Sequence, residues 1–597
     1  MMDSSMLVVL VILLVTVFFM IVDVFRIDIV AIVCMLALGW TGTLTPAEVF
    51  SGFSSNAVIA MMAVMIMGHG VARTGIMGRF SSAVIKRAGS DRRRIVGLLS
   101  LSVGVLSGFI QNIGAAALFL PGILDISRRK KIPPSSLIMP VGFAAILGGT
   151  LTMIGSGPLI LINDLIRNFG LEPYSFFSVT PVGVILLIAG TGYFMIFGRY
   201  VFPGQGPGEV PLSVQDKIIE AFHLPHHIGH YSIPEESSLA GISTEKSGAW
   251  EIYNVNILGI SEGRETEYAP WRDAVFRAGQ ELALLGSEDG VKAFASGHGL
   301  RSLEKPRRFA GLDDPGRAGF AEVIIPPRSE MIGKTIRQFS LRKRYAVEPV
   351  MLFSKGEEIM GDFSDHKIDP GDTLIVHGLW ENITALREEA GFVVATPFVA
   401  ERRDRSRIGV ALACFLGSIA LVLAGAPISM AFFSGAIAMV LAGVLSIQEA
   451  YNAIEWKVVF LLGGLIPLGT AMQKTGTAEF LAEKLMNLVQ GGHPVILVLA
   501  VALLSTIFSL LMSNVGAVMV LAPLVMNMGV IGGIDPRPLA LLAAVCAANS
   551  FLLPTHQVNA FLMSPGGYSN ADYIKAGAGM TLVFIVVVVP AFFVFFL

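Results

Sequence analysis

The sequence predicts a polytopic α-helical membrane protein. It reads as two inverted repeats, each of five transmembrane helices plus one re-entrant hairpin, with a cytoplasmic α/β insert between them. Three observations predict this. Of 597 residues, 53% are hydrophobic and only 15% charged, whereas a soluble domain carries about 25% charged residues. The apolar excess falls in two blocks, 1–202 and 404–597, around a stretch of ordinary soluble composition at 203–403. The two blocks also repeat each other's polar interruptions at a spacing of about 400 positions.

Each block holds several apolar runs near the length needed to cross a bilayer, about 20 residues. In the first block the runs are 5–24, 27–43, 55–76, 136–166 and 179–202, with a special segment at 96–124. In the second they are 408–425, 429–446, 456–474, 537–563 and 574–597, with a special segment at 494–526. No basic stretch precedes the first run, and it continues almost at once into the next, so it reads as a permanent helix and not a cleaved signal. The formal charge of −2 gives no bulk basicity for nucleic acid. Cys34, Cys414 and Cys546 all lie in apolar runs, without metal-ligand spacing or a disulfide framework.

Charge sets the orientation. Lys86, Arg87, Arg92, Arg93 and Arg94 precede the first special segment, and Arg128, Arg129, Lys130 and Lys131 follow it. Basic loops stay on the cytoplasmic side, so a single crossing between these clusters would misplace one. A hairpin that enters and leaves on one face places both. Gln111, Asn112 and Gly114 interrupt the segment midway, and irregular backbone at membrane depth is tolerated only inside protein or along a cavity. Counting spans from this hairpin puts 203–403 in the cytoplasm, in agreement with Arg402, Arg403, Arg405 and Arg407 at its exit. It puts both termini outside the inner (plasma) membrane.

The repeat is visible residue by residue. Gly68–His69–Gly70 and Arg73–Thr74–Gly75 parallel Gly469–Thr470 and Lys474–Thr475–Gly476. Phe109 to Ala115 parallels Leu511 to Ala517, with Pro121 and Pro523 following. Five spans per half is an odd number, so the halves lie in opposite orientation, a plan that puts ligand sites at the midplane where helices break.

Four polar interruptions carry the chemistry. Two are the hairpin tips, Gln111–Asn112–Ile113 and Ser513–Asn514–Val515; two are breaks in long helices, Gly148 to Pro158 and Leu553 to Asn559. Half-helix N-termini offer N–H groups and partial positive charge to an anion, and freed carbonyls with asparagine oxygens suit a hard cation. The anion-facing candidates are Gln111, Asn112, Ser156, Ser513, Asn514, Thr555, His556, Gln557 and Asn559. The sodium-facing candidates are Asn112, Gly149, Thr152, Gly155, Asn514, Pro554 and Asn559. None of the four segments contains lysine or arginine. A divalent anion cannot enter a membrane unpaired, so coupling to cations is expected. Co-transported sodium ions and no organic cofactor follow from this reading.

At these residues the chain resembles the divalent anion/sodium symporter family, whose members carry dicarboxylates, citrate or sulfate. That family has a Ser-Asn-Thr motif at each tip, followed by a helix break rich in Gly, Thr and Pro. Ser513–Asn514–Val515 keeps two of the three residues and Gln111–Asn112–Ile113 only the asparagine. The resemblance implies that Asn112 and Asn514 sit at the substrate and sodium sites, and that the protein is an elevator-type homodimer. The altered first tip and the sequence Pro554 to Asn559, which departs from the family's Thr-Pro-Pro-Asn, lean toward sulfate over a carboxylate. A dicarboxylate transporter or exchanger, or a transporter-like sensor, are the alternatives.

The insert changes pattern to short strands and turns. Ala321 to Pro326 and Leu341 to Val347 have strand-like apolar positions. Pro327–Arg328–Ser329, Ile332–Gly333–Lys334 and Gly371–Asp372–Thr373–Leu374 make 320–390 similar to a TrkA-C (RCK C-terminal) domain, with a weaker copy over 229–300. The resemblance implies a regulatory or dimer-forming role and a cytoplasmic ligand. Residues 203–228 read as a linker. Gly204–Gln205–Gly206–Pro207–Gly208 lacks the preceding strand that a phosphate loop needs. His223, His226, His227 and His230 are interrupted by Pro225 and lack a second cluster to complete a zinc site. No HExxH motif or embedded Ser/His/Asp set points to an enzyme.

Overall fold

The structure, a computed structural model, describes residues 3–22, 24–74, 91–130, 132–202, 214–263, 265–303, 308–309, 311–314, 317–389, 391–396, 407–489 and 494–597. Gly75, Lys86, Arg87, Lys131, Gly204 to Gly208, Arg402, Arg403 and Arg405 lie outside the described residues, as do the side chains of Arg128 and Arg129. The chain divides into two compact units, Met1–Pro211 with Arg403–Leu597, and Leu212–Arg402.

The first unit is helical throughout its described residues. Among the described residues seven helical stretches are long and apolar enough to cross a membrane: Ser4–Val22, Pro46–Arg73 (two short turns leading into the helix Asn56–Arg73), Thr180–Gly198, Trp456–Lys474, Pro494–Leu511, Asn514–Gly532 and Asn570–Phe595. Shorter apolar helices include Ile27–Trp40, Ser135–Gly148, Ile408–Leu423, Ile428–Leu441 and Pro536–Cys546. The shortness has a local cause in two of these. The runs at 136–166 and 537–563 each divide, into Ser135–Gly148 with Gly157–Asn168 and Pro536–Cys546 with Gln557–Gly566. The special segments divide likewise, into Arg92–Ser107 with Asn112–Lys130 and Pro494–Leu511 with Asn514–Gly532.

Three helices stand outside the expected set. Thr477–Val489 carries Glu479, Glu483 and Lys484 and is too short and too charged to read as a span. Pro46–Phe50 and Ile447–Asn452 are single turns, each opened by a capping box, Thr45 with Glu48 and Ser446 with Glu449. Such a box satisfies two otherwise orphaned N–H groups at once. A third box, Ser569 with Asp572, starts the last helix at Asn570, four residues before its apolar run.

The two halves of this unit interlock. Ile27–Trp40 packs on Trp456–Lys474, Asn56–Arg73 on Ile428–Leu441, and Thr180–Val201 on Asn570–Phe595. Large apolar side chains such as Leu14, Phe18, Ile188, Ile196, Leu582 and Val586 remain exposed. So much bare hydrocarbon is costly in water and at ease against lipid.

The second unit contains two five-stranded antiparallel sheets of one plan. The first comprises β1 (His227–Ser232), β2 (Asn256–Glu262), β3 (Glu265–Tyr268), β4 (Glu281–Gly286) and β5 (Arg301–Ser302). The second comprises β6 (Ala318–Ile324), β7 (Glu348–Ser354), β8 (Glu357–Ile359), β9 (Thr373–Leu379) and β10 (Val393–Val394). The order β3-β2-β4-β1-β5 is matched strand for strand by β8-β7-β9-β6-β10. Both sheets carry a register shift in the second strand, at Ile257/Gly259 and at Pro349/Met351. A shared core of Leu258, Leu285, Phe309, Phe320, Met351 and Ile375 joins them.

One strand-like segment is corrected. Leu341–Tyr345 is a short helix, bracketed by Ser340 and Ala346 at positive φ. Arg342, Lys343 and Arg344 leave Leu341 and Tyr345 at an i, i+4 spacing, which is a helical face and not an alternating one.

Candidate functional site

The four breaks are built from residues that cannot sustain a helix together. At the first tip, Arg92–Ser107 closes on Gly108, and Asn112 opens the next helix. The Ser107 hydroxyl lies 2.8 Å from Asn112 Oδ1 and 2.7 Å from the Ala145 carbonyl. At the second tip the Ser509 hydroxyl lies 2.8 Å from Asn514 Oδ1 and 2.5 Å from the Ala547 carbonyl. The sequence separations, 5 and 38, are identical in the two halves. A hydroxyl has one hydrogen. Each serine hydroxyl therefore sits between two acceptors, the asparagine oxygen and the alanine carbonyl, and can donate to only one of them at a time.

The first break wraps this tip. A Cβ at Gly149 would lie 2.7 Å from Asn112 Oδ1, and one at Gly155 would lie 2.6 Å from the Gly149 carbonyl and 3.1 Å from the Gly108 carbonyl. Thr152 donates its hydroxyl to that same Gly108 carbonyl. Asn112, Gly149, Thr152 and Gly155 are therefore brought together, with the Gly108 carbonyl among them. At the far end of the break, a Cβ at Gly157 would lie 2.9 Å from Val515 Cγ2. One segment thus runs from the first tip to the second.

The second break does the same with the halves exchanged. Its Ala547 end is tied to Ser509, and its outgoing helix Gln557–Gly566 packs on Asn112–Lys130. Asn559 is 1% exposed and donates to the Ser550 carbonyl at 3.0 Å, while its own carbonyl accepts from Tyr573. It makes no hydrogen bond to Asn514. Pro554 is half-buried, and Thr555 and Gln557 are exposed.

Four helices begin at these breaks, and their N-termini are not alike. Ser513 Oγ accepts from the Gly516 N–H at 3.0 Å, and His556 Nδ1 accepts from the Val558 N–H at 3.1 Å. His556 is thus a helix cap, with Nδ1 as acceptor and its hydrogen on Nε2. The two N-termini of the first half lack such a cap. Gln111 makes no capping bond among the described residues, and Ser156 caps nothing, its buried hydroxyl oxygen being without a partner there. Uncapped N–H groups are the ones an anion can use. Gly114, two residues into the first tip helix, faces open space.

A family model described as citrate transporter matches residues 10–546 and, in a second match, 484–597. The chain belongs to the citrate transporter family. It is 28% identical over 597 residues to an uncharacterized transporter, YfbS, of Escherichia coli (strain K12), covering 96% of each chain. It is 22% identical to sodium/sulfate cotransporter 2 of Chlamydomonas reinhardtii, over 64% of this chain and 41% of that one. It is 26% identical over 172 residues to the sodium-dependent dicarboxylate transporter SdcS of Staphylococcus aureus (strain USA300), over 26% of this chain and 33% of that one. As a member of the citrate transporter family, with several apolar helices, the protein is a multi-pass membrane transporter.

In this citrate transporter family member, Ser107 and Ser509 are residues the motif reading passed over. Both are almost wholly buried, and each stands five positions before its tip asparagine. That repeated Ser-x₄-Asn spacing was available in the sequence. The histidines at 223, 226, 227 and 230 hold no metal cluster, and among the described residues no three His, Cys, Asp or Glu gather as one. His230 instead bonds Asp313 at 2.9 Å.

Proposed function

We propose that the protein is a sodium-coupled symporter of a small divalent anion, with sulfate favoured. The observation that carries this reading is the twofold recurrence of the Ser–Asn–carbonyl arrangement at Ser107, Asn112 and Ala145 and at Ser509, Asn514 and Ala547. Neutral oxygens converge there without a lysine or arginine, a set that suits sodium. The uncapped N-termini at Asn112 and Gly157 favour a nearby anion, and sodium bound beside them offsets its charge. The sodium/sulfate and sodium-dependent dicarboxylate names of the relatives support coupling to sodium.

In this reading the halves are inverted repeats, the tips are re-entrant, Leu212–Arg402 lies in the cytoplasm and both termini lie outside. The tips and breaks move together in an elevator-type step within a homodimer, and the insert, in the manner of TrkA-C domains, regulates it. The test is uptake of labelled sulfate, succinate and citrate into proteoliposomes, each with and without an inward sodium gradient. Sodium-dependent sulfate uptake is expected. Sodium-dependent succinate or citrate uptake without sulfate would move the substrate to carboxylates, and uptake indifferent to sodium would remove the coupling.

A further inference from the structure

Behind the second tip lies a polar cluster that the tip chemistry does not use. Ser505, Asn549 and Ser550 are each 0% exposed and Thr506 is 4% exposed. Asn549 Nδ2 donates to Thr506 Oγ1 at 3.2 Å, and the Thr506 hydroxyl donates to the Ala502 carbonyl at 2.8 Å. These bonds leave Asn549 Oδ1, Ser505 Oγ and Ser550 Oγ buried without a partner among the described residues. Ser505 lies one turn before Ser509, on the helix face that reaches Ala547. A buried polar group left unpaired costs about 1–3 kcal/mol, and these three lie on two segments, 505–506 and 549–550, that the Asn549–Thr506 bond brings side by side.

The first half shows that the fold does not require them. The serine–alanine bonds fix the correspondence, since Thr506 precedes Ser509 as Gly104 precedes Ser107, and Ser550 follows Ala547 as Gly148 follows Ala145. The counterparts of Ser505, Thr506, Asn549 and Ser550 are therefore Val103, Gly104, Leu147 and Gly148. There the backbones close on each other, and a Cβ at Gly148 would lie 2.1 Å from the Gly104 carbonyl. The second half replaces that dry contact with four oxygen-bearing side chains.

We infer that Ser505, Asn549 and Ser550 bind a further sodium ion, separate from the two tips. Asn549 spends its NH₂ on Thr506, which leaves its oxygen uncommitted. The Ser505 and Ser550 hydroxyls, likewise without partners among the described residues, have lone pairs to offer a cation. All the donors are neutral oxygens and no carboxylate joins them, which suits a monovalent cation over Ca²⁺ or Mg²⁺. The ion bridges Pro494–Leu511 to the segment after Pro536–Cys546, the two pieces that carry the second tip and the second break. This inference rests on the sodium-coupled reading.

The experiment counts bound ²²Na⁺ at saturation on the purified full-length protein, without substrate. Asn549→Leu with Ser550→Gly gives this site the first half's residues, and Ser505→Ala removes one hydroxyl. The double variant is expected to bind one ion fewer than wild type, and Ser505→Ala to bind its last ion several-fold more weakly. Asn514→Ala is expected to lose a different ion, additively. An unchanged sodium count and affinity in both variants, with wild type binding sodium, would overturn the inference, because the cluster then holds only water. Absence of sodium binding in wild type would overturn it together with the coupling. Should the double variant fail to fold, Ser505→Ala decides alone.

Discussion

Arg73 binds Glu449 across 376 residues of chain, guanidinium to carboxylate at 2.6 Å. Its counterpart contact, Lys474 to Glu48 at 3.0 Å, has the halves exchanged. Glu48 and Glu449 also close the capping boxes of the two single-turn helices, so each carboxylate ties a helix start to the opposite half. Both pairs are partly exposed, and such pairs are worth about 0–1 kcal/mol. Arg73→Ala and Glu449→Ala should each lower thermal stability modestly, and a double-mutant cycle should return a coupling of up to about 1 kcal/mol. Strict additivity of the two single effects would show that the pair contributes nothing.

The tip serines should separate sodium from anion. Ser107→Ala or Ser509→Ala leaves an alanine carbonyl without its donor and the asparagine without its anchor. Sodium half-saturation should rise several-fold in either variant, while anion half-saturation at saturating sodium changes less. Asn514→Ala should abolish uptake in a protein that still inserts. Wild-type sodium dependence in both serine variants would take the Ser–Asn pairs out of the site.

Gln111 is where the two tips differ most. Gln111→Ser supplies the cap that Ser513 provides in the second half, worth about 1 kcal/mol. It also occupies N–H groups now open to an anion. The variant should melt higher and take up less sulfate relative to succinate. An unchanged uptake ratio would show that the first tip does not choose the substrate.

Arg94 tests the topology. Its side chain is 79% exposed at the start of the first tip's incoming helix. In a cysteine-free background, Arg94→Cys should react with an impermeant thiol reagent only when the cytoplasmic face is accessible. Labelling of intact cells from outside would reverse the assignment.

The second unit has opposed pH trends at one pair of strands. Glu348 and His377 are register partners on β7 and β9. Burial pushes the Glu348 carboxyl up to about 7, with Arg342 at 2.7 Å offsetting only part of it. Burial holds His377 down to about 4. The raised acid contributes stability fully below its ordinary value of 4.5 and loses it as pH rises toward 7. The depressed histidine contributes fully above its ordinary value of 6.5 and loses it as pH falls toward 4. Between these limits the two changes oppose each other. Glu348→Gln should expose the histidine trend, so that the urea midpoint of this unit, followed by proteolysis of the full chain, falls as pH drops from 6.5 to 4. A profile matching wild type would rule out Glu348 as the compensating group.

The sequence by itself determined that the chain enters a membrane, that its halves repeat, and where its helices break. Those properties reside in neighbouring residues: runs of apolar side chains, and glycine and proline at 148–158 that deny a helix its ladder. It also placed Asn112 and Asn514 at equivalent positions. It misread Leu341–Tyr345, where positive-φ residues on both sides set the local conformation. Only the tertiary structure decided which groups meet. Ser107 finds Ala145 38 residues away, Gly157 meets Val515 of the other half, and Arg73 finds Glu449. These partners are chosen by how helices pack, and no local pattern encodes the distance between them. The same holds for Asn549, whose neighbours in sequence give no sign that its oxygen is buried without a partner; that follows from the packing of one helix against another.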